Sequence, residues 1–153
     1  MIEGFLTFLN SLKKLMETLT KLSARSLEYY INARRWKADL DFFKVEIVFF
    51  NWLISSHFMK FIDAVQQERL QKLQDKLAMI RKEKAQIKDL LNEQLKTLEL
   101  LSEEPFFISN EKLTNNQSQL EYLMTDISRE YREVKTYLFK VLIEAKNANY
   151  PKK

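Results

Sequence analysis

The chain has 153 residues and a formal net charge of +4, from 25 Lys and Arg against 21 Asp and Glu. One Gly and two Pro leave too few turn-formers for an all-β or doubly wound α/β fold, and zero Cys removes disulfides, thiolate chemistry and Cys-based zinc sites. A chain of this length buries about 70% of the surface its unfolded form exposes, so one hydrophobic core suffices without a staple.

Helical periodicity begins at once. Ile2, Phe5, Leu9, Leu12, Met16 and Leu19 step by three and four, which places them on one stripe of a helix over residues 2–22. Ser23 and Ser26 suit a cap, and a bend or turn is expected there. A second helix is expected over 26–65, with Trp36, Leu40, Phe43, Ile47, Phe50, Ile54, Phe58, Phe61 and Val65 as its main stripe. A second stripe, Phe42, Val45, Phe49, Trp52 and Met59, lies roughly opposite. A helix apolar on both sides wants two partners, within a bundle or across a subunit contact.

The pattern slips phase at Gln66-Gln67-Glu68-Arg69, read as the turn into a third helix over 69–102. There Leu70, Leu77, Lys84, Leu91 and Leu98 alternate with Leu73, Ile80, Ile87, Gln94 and Leu101 in a coiled-coil-like seam. Lys84 and Gln94 are polar within it. Such residues can fix register, but both are expected where the seam reaches solvent. Pro105 ends this helix, because the residue before a proline disfavours the α region. Residues 105–117 read as a loop whose Phe106, Phe107 and Ile108 tuck over a bundle end. A capping-box pattern, Ser118-x-x-Glu121, opens a fourth helix carrying Leu120, Met124, Ile127, Tyr131, Val134, Leu138 and Val141.

The expected fold is therefore all-α: an up-and-down four-helix bundle with long, coiled-coil-like helices, one domain over 1–148 and a short tail over 149–153. Glu3 stands where a secretory signal wants positive charge, and the longest uncharged run, 47–59, is too short for the roughly 20 apolar residues of a membrane span. A cytoplasmic protein is expected.

Catalytic vocabulary is sparse. His57 is the one histidine, so no Ser–His–Asp grouping can be argued and transition-metal ligands are nearly absent. A ferritin-like di-metal site needs paired Glu-x-x-His motifs, and Ile54 stands three residues before His57. Neither a metal nor a cofactor is expected. The stretch His57-Phe58-Met59-Lys60-Phe61 resembles the phosphotransfer site of histidine-phosphotransfer domains, which are helical bundles with a Lys three residues after the His. The resemblance implies a phosphoryl-accepting His57. It departs from the family at Phe61, where a small residue leaves the imidazole open. Glu46 sits in the most apolar stretch and reads as a stripe-flank residue that pairs with a Lys or Arg on a neighbouring helix.

Basic residues come in groups of two or three with acids close by, so nucleic acid is an unlikely partner. A membrane surface is the stronger alternative. The first helix offers Phe5, Phe8, Leu9 and Leu12 followed by Lys13 and Lys14, the pattern of an interfacial helix. The favoured expectation is a non-enzymatic scaffold or adaptor that works by protein contact, with a homodimer possible. Phe42, Val45, Phe49 and Trp52 form its candidate contact face. The competing expectation is that the first helix covers these four and makes them core.

Overall fold

The computed structural model describes residues 2–60, 62–104 and 110–149. Four long helices follow in order: α1 (Ile2–Lys21), α2 (Ala24–Leu53, continued by a π-helical turn over Ile54–Phe58), α3 (Ala64–Glu103) and α4 (Asn110–Asn149). The all-α bundle expected from the periodicity is the fold observed.

The connections follow from local capping chemistry. Ser23 is extended (φ −61°, ψ 162°) and its side chain accepts a hydrogen bond from the Ser26 amide, which separates α1 from α2. Between α2 and α3 the break comes earlier than the expected 66–69. The Asp63 carboxylate accepts from the Gln66 amide at 2.8 Å, and the Gln67 side-chain amide donates to the carbonyls of Met59 and Ile62. The phase slip at 66–69 is thus the first turn of α3, and Val65 is exposed in that turn instead of continuing the α2 stripe.

Cross-helix bonds set the directions. Asp41 of α2 meets Lys88 of α3, and Gln74 of α3 donates to Ser55, so α2 and α3 are antiparallel. Arg69 reaches Tyr137 and Glu144, and Gln94 reaches Leu113, so α3 and α4 are antiparallel as well. At 40 residues each, α3 and α4 are about 60 Å long. Their seam uses the expected heptads: Leu70, Leu73, Leu77, Ile80, Ile87, Leu91 and Leu98 of α3 are buried, as are Leu120, Met124, Ile127, Tyr131, Val134, Leu138 and Val141 of α4.

Two expectations about polar seam residues are corrected. Lys84 and Gln94 do not mark where the seam reaches solvent; they are 5% and 0% exposed. The Gln94 amide donates to the Leu113 carbonyl at 2.9 Å and to Gln117 Oε1 at 3.1 Å, and Gln117 in turn donates to the Tyr29 carbonyl of α2 at 3.3 Å. This clasp explains a second correction. α4 begins at Asn110, eight residues before the capping-box serine, because Leu113 and Gln117 carry the seam back by two turns before Leu120. Asn115-Asn116-Gln117 reads as loop in sequence, yet Gln117 is a buried seam position with its amide satisfied. The segment assigned to Phe106, Phe107 and Ile108 lies outside the described residues, as do Phe61 and the tail from Tyr150 to Lys153.

α1 stands apart from this core. Leu15, Leu19 and Leu22 pack on it and Thr18 is buried, with α3 as the main neighbour. Every residue from Ile2 to Lys14 is exposed.

Lys84 supplies a test of the core. Burial holds its ammonium below the usual lysine range, reinforced by the positive charges of Lys88 and Lys44. The folded chain therefore binds this proton less readily than the unfolded one. The penalty is complete below the folded pKa and fades as pH climbs towards the ordinary lysine value. Lys84→Met should stabilise the fold by about 1 kcal/mol at pH 7, roughly 2–4 °C in Tm, and the gain should shrink at pH 10. Thermal unfolding at the two pH values checks both parts.

Candidate contact face

α2 has two apolar sides, and the structure separates their fates. Leu40, Ile47 and Ile54 point into the core with no exposure. Half a turn away, Phe42, Val45, Phe49 and Trp52 fall within a sector of about 80°. They are 58%, 67%, 51% and 54% exposed. The four candidate residues thus lie together on one outer face, and α1 does not cover them. Its own length forbids complete cover: folded back along α2 from the Ser23 break, α1 would reach about 28 Å, whereas Phe49 and Trp52 lie about 37 and 42 Å from the start of α2.

The face is larger than the sequence stripe. Val48 is exposed beside it, and Ile31 extends it towards the start of α2. α4 contributes Phe139 and Ile143, both exposed. Phe139 stands edge-on to Phe50 at 5.6 Å between ring centroids, and Phe50 lies 5.9 Å from Phe49. Sequence reasoning missed Phe139 and Ile143 because nothing in the α4 heptads says that α2 runs beside that flank.

Glu46 fastens this face to α4. Its carboxylate accepts from Lys135 Nζ at 2.9 and 3.1 Å and from the Tyr131 hydroxyl at 2.9 Å. This is the cross-helix pairing expected for a stripe-flank acid. Burial pushes the Tyr131 phenol well above the ordinary tyrosine range, and the Glu46 carboxylate adds to the shift, since a phenolate there would face a negative charge. Tyr131 also packs against Phe43, at 4.5 Å between centroids.

His57 sits at the far end of the same face. The π turn bonds residues five apart, as in the Met59 amide to Ile54 carbonyl bond of 3.0 Å. That winding sets the exposed His57 ring edge-on to Trp52, five residues before it, at 5.0 Å. The basic cluster near the start of α2 is arranged differently. Tyr30 and Trp36, the aromatics beside Arg34 and Arg35, are buried. An open cleft of about 450 Å³ there mixes Arg35, Arg129 and Arg132 with Asp39 and Glu121.

α1 presents the other apolar surface. Ile2, Phe5, Leu9, Leu12 and Met16 are exposed, with Leu6 and Phe8 on the flanks. Leu15, Leu19 and Leu22, which do touch the core, are centred about 100° further round the helix. The alternative residues Phe5, Phe8, Leu9, Leu12, Lys13 and Lys14 are thus all in the exposed part. Among the described residues, no helix is long and apolar enough to cross a membrane.

Comparison with protein-family models, with curated proteins and with solved structures finds no match to this chain.

Glu46→Ala should cost about 1–3 kcal/mol, because it strands the Tyr131 hydroxyl and the Lys135 ammonium together. Urea unfolding measures the loss. Ultraviolet titration should show the Tyr131 phenol ionising at lower pH than in the parent, though burial still holds it above the ordinary value.

Proposed function

We propose that this chain is a non-enzymatic helical-bundle protein that works by protein contact, using the outer face of α2 to associate with itself. One observation carries the reading: Phe42, Val45, Phe49 and Trp52 are half-exposed or more on a helix whose other side is fully packed. An exposed contiguous apolar patch is costly to leave in water, and on a soluble domain it marks an interaction surface. Aromatic anchors at its centre fit the residues that dominate contact energies. The tie from Glu46 to Lys135 and Tyr131 holds α2 against α4, so the face is presented on a rigid element.

Light scattering on a sizing column should give twice the chain mass, and Phe49→Glu or Trp52→Glu should give monomers with unchanged helix content. A parent chain that runs as a monodisperse monomer across the micromolar range would overturn self-association.

The exposed stripe of α1 favours a second reading, attachment to a membrane surface. Large apolar side chains along one side with Lys13 and Lys14 beside them suit the boundary between headgroups and acyl chains. The intact chain should float with vesicles containing anionic lipid, and the double variant Phe5→Glu/Leu9→Glu should stay at the bottom of the gradient. Equal flotation of the two, or flotation of neither, would sink this reading.

A further inference from the structure

The four central residues of the α2 face are spaced three, four and three apart, so their positions read the same in either chain direction. Building on the self-association proposed above, we infer that two copies pair through α2 in an antiparallel, two-fold arrangement centred near position 47. A two-fold contact places the same patch on both subunits and requires that patch to complement itself. Run antiparallel, Phe42 faces Trp52 of the second copy and Val45 faces its Phe49. Each layer then joins unlike sizes or two large rings, in the alternation of an antiparallel coiled-coil seam. One step further out, Ala38 faces Ser56, two small residues that let the helices approach.

The central stripe itself carries no charge. Between positions 38 and 56 no Lys, Arg, Asp or Glu falls within the stripe. Two of the flanking carboxylates are paired within the chain, Glu46 with Lys135 and Asp41 with Lys88 at 3.1 Å, and Lys44 on the far flank beside Val48 is exposed. The area is of the right size. With large side chains at roughly 150–250 Å² each, the exposed fractions of Phe42, Val45, Val48, Phe49 and Trp52 come to on the order of 600 Å². Phe139 and Ile143 on the adjoining flank of α4 add about 200 Å², which reaches the ~800 Å² per partner of a standard interface. The chain's own α1 cannot supply this cover, since it falls short of Phe49 and Trp52.

The chain has no Cys, so single cysteines report cleanly. In the inferred register two copies of residue 45 sit about 6 Å apart along the axis on helices 8–10 Å apart, within reach of a short bismaleimide. Two copies of residue 31 lie about 48 Å apart, whereas a parallel pairing brings them together. Full-length Val45→Cys should therefore cross-link to a dimer on denaturing gels, and Ile31→Cys should not. Adding Phe49→Glu to Val45→Cys should abolish the cross-link while circular dichroism stays unchanged.

A dimer by light scattering in which Ile31→Cys cross-links, or Val45→Cys does not, overturns the register and leaves self-association standing. A dimer that Phe5→Glu/Leu9→Glu dissociates puts α1 in the interface and overturns the α2 pairing. A parent chain that is monomeric overturns both this inference and the reading on which it rests.

Discussion

The packing of α3 against α4 along two 40-residue helices is the constraint on which the rest of the molecule depends. Neither helix could be stable alone over that length, since helix propensity contributes little and burial of an apolar stripe contributes most. The seam supplies that burial layer by layer: Leu70, Leu77, Leu91 and Leu98 of α3 and Leu120, Ile127, Leu138 and Val141 of α4 are all buried. A smooth leucine seam could slide by a heptad at small cost. The buried clasp of Gln94, Gln117 and the Tyr29 carbonyl resists such a slide: a shift of register would break the bonds donated by both side-chain NH2 groups, in an interior where Gln94 Oε1 already lacks a partner among the described residues.

α2 completes the core by laying one side into the groove between α3 and α4. Three helices around one axis satisfy each other, so each keeps an outward side. For α3 and α4 that side is mostly charged or polar. For α2 it is Phe42, Val45, Phe49 and Trp52, and the helix must present them because turning them inward would expose Leu40, Ile47 and Ile54 instead. The two-sided pattern of α2 is thus a conflict that this core resolves on one side only. Its remaining side is left exposed.

α1 obeys a different balance. It is joined to the core by its last turns alone, through Leu15, Thr18, Leu19 and Leu22, while its N-terminal two-thirds are in solvent. An isolated helix of that length is marginal in water. Its stripe therefore gains most from any surface that covers it, and a lipid boundary or a protein face would serve the same physical need. The two uncovered surfaces are independent: one is rigid and central, the other attached at a single end.

The amino-acid sequence by itself determined the class of fold, the seam heptads of α3 and α4, the stop at Pro105 and the break at Ser23. Those features depend on period and on local capping, which act within a few residues. It also marked the second stripe of α2 and the pairing of Glu46 with a neighbouring helix. Tertiary structure alone decided which stripe was buried. Phe42 and Phe43 are chemically identical, and only the positions of α3 and α4 make one exposed and the other half-buried against Tyr131. The same holds for α1, whose Ile2-to-Met16 stripe has the spacing of a core stripe and is exposed. It holds in reverse for Lys84, Gln94 and Gln117, whose polarity suggests solvent. They are buried because the seam passes straight through their positions, and because for the two glutamines amide partners arrive from α2 and α4. Burial is a property of what packs against a residue, and those partners come from segments 20 to 90 residues away, beyond the range of any local pattern.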